Sequence, residues 1–186
     1  MSWPVDISHA HGVLRLPGPG WFALDAALDE TSLDELLAGA RRQLGPEAVG
    51  WVPAAGGLLS NLSAWENVLL ATQWHMPASL PALEARMRSW CLRCGYDEPG
   101  VVRLLAQQPA QLAGDELRLL GWLRQLLARP RLLLLEGRAV PAGAAGRLLR
   151  ELLAEELAGS VLLVVAGEVP EGCTPLSFSA AEAEVP

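Results

Sequence analysis

An α/β fold built on a parallel sheet is predicted by three observations. Two apolar runs, Leu132-Leu133-Leu134-Leu135 and Val161-Leu162-Leu163-Val164-Val165, are short and uninterrupted, as strands buried on both faces are. Between them, Ala144 to Leu157 carries apolar residues at helical spacing, and strand, helix, strand implies a parallel pair joined by a right-handed crossover. Leucine and alanine dominate while aromatics make up only 5% of the chain, which favours long helices around a few strands over an all-β fold.

The remaining elements follow from local signals. Up to Gly20 the chain reads as irregular, with His9, His11 and the Pro17-Gly18-Pro19-Gly20 cluster, except for a short strand at Val13–Leu16. Thr31-Ser32-Leu33-Asp34-Glu35 reads as an N-cap and acidic first turn of a helix that runs to Gln43 and stops at Gly45-Pro46. Val49–Val52 reads as a buried strand, and Pro53 to Gly57 as a loop. Ser63 with Glu66 three residues on is a capping box. From there to Gln108 apolar residues recur at three- and four-residue spacing, broken by Pro77, Pro81 and Pro99, which indicates several helices. Asp115 to Leu127 is one more helix, and Pro175–Phe178 a final strand before an acidic tail.

With 186 residues, 51% apolar and 19% charged, the chain is long enough for one well-buried core. A formal net charge of −7 gives no basic footprint for a phosphate backbone, so nucleic acid is not an expected partner. No stretch reaches the roughly 20 apolar residues that span a bilayer, and Met1–Asp6 lacks the basic and apolar regions of a signal peptide, so the expected location is cytoplasmic. Cys91 and Cys94 form a lone Cys-x-x-Cys in a helical pattern, and the histidines are dispersed. A zinc site takes about four ligands, so these thiols are expected to be reduced and packed, with no metal bound.

Two motif blocks carry a family resemblance. Leu112-Ala113-Gly114-Asp115-Glu116 opens a helix that leads to the apolar run ending in Glu136-Gly137-Arg138, and some fifty residues earlier stands Leu58-Leu59-Ser60-Asn61-Leu62-Ser63-Ala64-Trp65-Glu66-Asn67-Val68. The C-terminal block resembles the Leu-Ser-Gly-Gly-Gln signature and following strand of an ATP-binding cassette. The N-terminal block is similar to the segment after that family's Q-loop. The resemblance implies an ABC-ATPase-like, P-loop-NTPase-like core over residues 1–62 and 110–186, truncated on its N-terminal side, with a helical subdomain over 63–109 in one structural unit.

What the resemblance assigns to each position is mostly chemistry this chain lacks. A phosphate cradle needs a Gly-x-x-x-x-Gly-Lys-Ser or Thr loop, because backbone N–H groups and a lysine neutralise the phosphates while the hydroxyl holds Mg²⁺. All 14 basic side chains are arginines, and Pro17–Gly20 has prolines where N–H donors are wanted. The Q-loop glutamine falls at Ala54. In the signature, Ala113 replaces the serine and Asp115 the second glycine; Asp115 is expected to cap its own helix and repel a γ-phosphate. Glu136 stands at the Mg²⁺-ligand position, but Gly137 stands where the general base should follow. Gly143 falls at the D-loop aspartate and Gly167, after Ala166, at the switch histidine.

No ATP hydrolysis, and no tight ATP or Mg²⁺ binding, is therefore expected. An active ATPase using Arg15 for the phosphates and Glu136 as base would ask one carboxylate both to hold Mg²⁺ and to accept the water's proton. The segment after the Q-loop carries, in the family, the groove that receives a permease's coupling helix, which makes Leu59, Asn61, Trp65, Glu66, Leu69 and Trp74 candidates for permease docking. The tryptophans either line such a groove or pack beneath the helix. The expected role is a structural or regulatory subunit at the cytoplasmic membrane face, paired with an intact cassette or with itself under a permease. The run from Leu58 to Trp74-His75 resembles most the importers of the lipid-trafficking MCE group. The alternative is a soluble regulatory module on the same scaffold.

Overall fold

Strand formation begins earlier than the sequence suggests. In the computed structural model, which describes residues 3–70, 79–140 and 142–180, β1 (Val5–His9) and β2 (Gly12–Leu16) form an antiparallel hairpin with Val5 opposite Leu16 and His9 opposite Gly12. Val5, Ile7, Leu14 and Leu16 are buried, while Asp6, Ser8 and Arg15 are exposed, a period-two pattern too short to stand out beside the prolines and glycines. His9 and His11 sit at the hairpin turn, where Gly12 has φ +124° and a Cβ would lie 2.1 Å from the Ser179 carbonyl oxygen, and Pro17 to Pro19 connect β2 to the next strand. A third strand, β3 (Gly20–Leu24), follows where the sequence alone indicates no element.

The main sheet has five strands in the order β4-β5-β6-β3-β7, with β4 at Val49–Val52, β5 at Leu132–Glu136, β6 at Val161–Val165 and β7 at Thr174–Leu176. β5 pairs with β6, β6 with β3 and β3 with β7, each parallel. The predicted parallel pair is present, and β3 inserts beside it. β7 is shorter than the expected Pro175–Phe178 run and begins one residue earlier. Helix α1 (Glu30–Leu44) starts at Asp29, not Thr31, because the Asp29 carboxylate accepts the Ser32 N–H at 2.8 Å. Ile7, Leu16, Leu24, Leu36, Leu134 and Leu163 are central to the core that joins hairpin, helix and sheet.

The chain divides into two compact units. Met1–Trp51, Pro130–Gly137 and Gly159–Pro186 make the first; Val52–Arg129 and Arg138–Ala158 make the second. The second holds α2 (Ala64–Leu69), α3 (Leu80–Arg93), α4 (Glu98–Ala106), α5 (Gly114–Ala128) and α6 (Gly143–Glu156). This differs from the division read from sequence, which places α5 and α6 with the sheet. In the structure α5 packs on α2, and α6 packs on α3, where the Trp90 Nε1–H donates to Glu156 at 3.0 Å and Arg93 pairs with Glu155 at 2.6 Å. Among the described residues no helix is long and apolar enough to cross a membrane.

Cys91 and Cys94 are buried near the end of α3. Burial, with the neighbouring Cys94, pushes the Cys91 thiol up to about 12, and burial raises Cys94 to about 11 against the lowering effect of Arg93. A thiol whose proton is held more tightly in the folded state contributes stability that is complete below the unfolded pKa of about 8.5 and is lost as pH rises through the folded values. Stability should therefore hold to about pH 8.5 and decline between there and pH 12. At pH 8, alkylation of these two thiols should be at least about tenfold slower than in urea-unfolded chain; equal labelling rates would overturn the assignment.

Candidate functional site

In parallel α/β sheets, ligands bind beyond the carboxyl ends of the strands. Here Leu24, Val165 and Glu136 stand in register as the last residues of β3, β6 and β5, so the segments that follow them share one edge of the first unit. The strand-to-helix connection of β3 and α1 is the position a phosphate cradle would occupy. It lies beyond Pro17–Gly20, because Gly20 already belongs to β3. Its five residues, Asp25-Ala26-Ala27-Leu28-Asp29, contain no glycine and no basic side chain.

The local charge is the reverse of what a polyphosphate needs. Asp29 takes the first-turn N–H of Ser32, and that backbone hydrogen bond holds its carboxyl below the usual range. Glu30 adds a second carboxylate in the first turn, and Asp25 a third just before it. The Asp25 N–H is itself taken by the Leu176 carbonyl at 2.9 Å. The helix end that would attract an anion is already occupied by its own.

The positions predicted to follow β5 and β6 converge on this edge. A Cβ built on Gly137 would lie 2.5 Å from the Ala166 Cβ and 3.3 Å from its Cα, so the general-base position has no room for a side chain. A Cβ on Gly167 would make an ordinary contact of 3.6 Å with Ala27, which places the switch position against the β3–α1 connection. Glu136 is half-buried at the end of β5. The structure thus brings Glu136, Gly137 and Gly167 together. Ala54, in the turn after β4, and Gly143, which opens α6 with φ +70° and open space around it, belong to the second unit.

The signature remnant opens α5, with Leu112 buried and Ala113 and Gly114 exposed. The cap is not made by Asp115 as expected. Glu116 reaches back to accept the Ala113 N–H at 2.9 Å and pairs with Arg103 at 3.1 Å, while Asp115, with its side chain 91% exposed, pairs with Arg118 one turn on. Two neighbouring acidic residues could each serve this end, and only the geometry separates them. A carboxylate nevertheless holds the first turn.

Along the expected docking segment, the capping box is present: the Ser63 N–H donates to Glu66 Oε2 at 2.7 Å and the Glu66 N–H to Ser63 Oγ at 3.2 Å. Leu59 and Asn61 are exposed, as is Glu66. Trp65 is half-buried and lines a groove of about 500 Å³ with Glu84, Arg88, Val102 and Leu105. Leu69 is a correction: at 5% exposure it packs inward, since α2 turns that face to the interior, and it offers a partner no surface. Trp74 lies outside the described residues. Two structural features have no assignment in the sequence reading. Asn67 is fully buried and binds the preceding loop, its Oδ1 accepting the Leu59 N–H at 2.6 Å and its Nδ2 donating to the carbonyls of Leu59, Leu62 and Ser63. Gly56 and Gly121 bring that loop's start onto the backbone of α5, where a Cβ on Gly56 would meet the Leu117 carbonyl oxygen at 2.3 Å.

No model of a known protein family and no curated protein matches the sequence. Solved structures do match. A structure of the ATP-binding subunit of an ABC transporter is 16% identical with a TM-score of 0.66, over 88% of this chain and 80% of its own. A protein described as a putative ABC transporter ATP-binding protein, from Pyrococcus furiosus, is 10% identical with a TM-score of 0.61 over 94% of both chains. A dimeric ATP-binding cassette in a post-hydrolysis state with ADP and Pi is 19% identical with a TM-score of 0.52; the match covers 76% of this chain but only 58% of that one. At these identities the likeness establishes the fold alone, which is α/β and ABC-ATPase-like (P-loop-NTPase-like).

Proposed function

We propose that this chain is a catalytically inactive cassette subunit of a membrane transporter, one that supports or regulates a complex without powering it. The observation that carries this reading is the β3–α1 connection, five residues long, without glycine or lysine, and closed by Asp29, whose carboxylate takes the first-turn N–H of Ser32. Phosphoryl transfer needs a positioned nucleotide, a metal held between phosphates and protein, and a group to orient the water. Neither Ala54, Gly137 nor Gly167 carries a side chain able to supply the last of these.

Calorimetric titration of Mg-ATP into the purified chain should give no saturable heat at micromolar protein, and phosphate release should match buffer. Saturable binding at micromolar concentration would sink the reading. Installing the missing groups with Gly137→Glu and Gly167→His should not create activity either, because the 137 side chain meets Ala166 and the phosphate position stays acidic; the double variant should lose roughly 1–3 kcal/mol of stability from the first substitution. A measurable, Mg²⁺-dependent turnover in that variant would show that the cradle is functional after all.

The partner on this reading is a permease, whose cytoplasmic amphipathic helix would enter the groove at Trp65, and the second cassette position would be filled by an intact cassette or by a second copy. Leu59 at 52% and Val102 at 68% exposure are large apolar side chains left to solvent in the same unit. Trp65→Glu should leave the thermal midpoint nearly unchanged, since the ring is only half-buried, yet reduce recovery of a polytopic membrane protein in mild-detergent affinity purification from the native host. Undiminished recovery would remove Trp65 from the docking surface. Recovery of soluble proteins alone, from wild type, would favour the alternative of a soluble regulatory module. The lipid-transport assignment rests on the run from Leu58 to Trp74-His75 alone and is tested by the identity of the permease recovered.

A further inference from the structure

The second unit contains a pocket of about 230 Å³ that the cassette reading leaves unused. One wall is α5, through Arg118, Leu119 and Trp122; the facing wall is formed by Arg138, Val140 and, on α6, Leu149. Trp122 is fully buried and its Nε1–H donates to the Ala139 carbonyl at 2.8 Å, which fixes the indole between the two walls. Tyr96 contributes a half-buried ring beside Cys94. The lining is therefore a rigid apolar body with polar groups confined to a few positions, the usual make-up of a small-molecule site.

Charge decides the class of ligand. Two guanidiniums and one carboxylate line the pocket, and the carboxylate, Asp115, is engaged by Arg118. That leaves Arg138, which is exposed and has no ion-pair partner among the described residues. Ala142, also on the wall, precedes α6 without giving it a side-chain cap, so the positive end of that helix adds to the same field. An uncompensated arginine presents a planar fork that matches a carboxylate. The volume exceeds the roughly 150 Å³ of an apolar cavity that takes benzene, leaving room for a larger ring with a short acidic arm.

We propose that this pocket binds a small organic acid with a flat apolar body, such as an aryl or indolyl carboxylate, its carboxylate on Arg138 and its ring against Trp122. Inorganic phosphate is a poor alternative, because it would gain nothing from Leu119, Val140 and Leu149. The site is independent of the proposed loss of ATPase chemistry and of any permease.

The test is calorimetric titration of the full chain with indole-3-acetate as probe. Saturable one-to-one binding is expected, weakened about tenfold or more both by Arg138→Gln and by replacing the probe with neutral indole-3-acetamide. Val140→Trp, which fills the pocket from a half-buried position, should abolish binding while circular dichroism and the melting midpoint of both variants stay near wild type. Absence of saturation at millimolar probe, equal binding of the amide, indifference to Arg138→Gln, or displacement by equimolar inorganic phosphate would each overturn the proposal.

Discussion

Asn67→Ala is expected to lower the unfolding free energy by about 3 kcal/mol, seen as a fall of roughly 6–12 °C in the melting midpoint. The side chain is fully buried and makes four hydrogen bonds to the loop that precedes α2. Truncation to alanine strands the Leu59 N–H and the Leu62 carbonyl, while the Leu59 and Ser63 carbonyls keep the backbone N–H groups of Leu62 and Asn67 as donors; partial rehydration at exposed Leu59 keeps the expected loss below the full sum of the orphaned groups. Asn67→Asp should fare no better. Its carboxylate can still accept from Leu59 but faces three carbonyl oxygens with no donor to offer. A loss under about 0.5 kcal/mol in urea titrations, the size of an ordinary surface change, would refute the clamp. Because the clamp shapes the backbone that carries Leu59 and Asn61, the proposed permease-docking role implies that the same variant should also recover less of such a partner than wild type.

A comparable loss, about 3 kcal/mol, is expected for Gly56→Ala, and a similar one for Gly121→Ala. Gly56 has φ +82°, a conformation costly for a side chain, and its added Cβ would meet the backbone of Leu117, which cannot step aside. On Gly121 the Cβ would lie 2.6 Å from the Gly56 carbonyl oxygen. The two glycines occupy opposite sides of one close approach, so forcing the loop away from α5 once removes most of the penalty of the second substitution. The double variant should therefore lose well under the sum of the singles, a coupling that a double-mutant cycle reads directly. Gly159→Ala, with open space around its Cβ, is the control and should change stability by less than about 1 kcal/mol. Strict additivity of the pair would mean that the loop and the helix are not in contact as described.

The elements legible in the sequence are those whose signal is local and strong. The β5 and β6 runs are continuous and apolar, and the Ser63–Glu66 box lies wholly within four residues, so each falls within a residue or two of its expected place. β3 does not, because Trp21-Phe22-Ala23-Leu24 follows a proline–glycine cluster and owes its strand state to β6 and β7, far along the chain. That one omission shifts the expected phosphate cradle to Pro17–Gly20, when the chain offers Asp25–Asp29 in its place. At both helix starts the choice of cap is ambiguous for the same reason: Asp29 competes with Thr31, and Glu116 with Asp115, and the winner is set by how the preceding strand or loop enters. The Glu-Asn-Val phrase marks a family resemblance, but the work of Asn67 within it becomes readable only once its four partners are in place. Nothing in the sequence distinguishes Gly56 and Gly121 from glycines in open turns; their meaning lies in a meeting of two backbones.

The Asp29 cap also bears on how this domain experiences the cell's energy supply. A protein that binds nucleotide only when folded gains stability that rises with the logarithm of nucleotide concentration, so its folded population is tied to metabolic state. In α1 the stabilising anion is part of the chain, present once per molecule and at constant effective concentration. Whatever the cap contributes is the same in a starved cell as in a growing one. On the proposed reading, a scaffold so built would hold its shape independently of nucleotide.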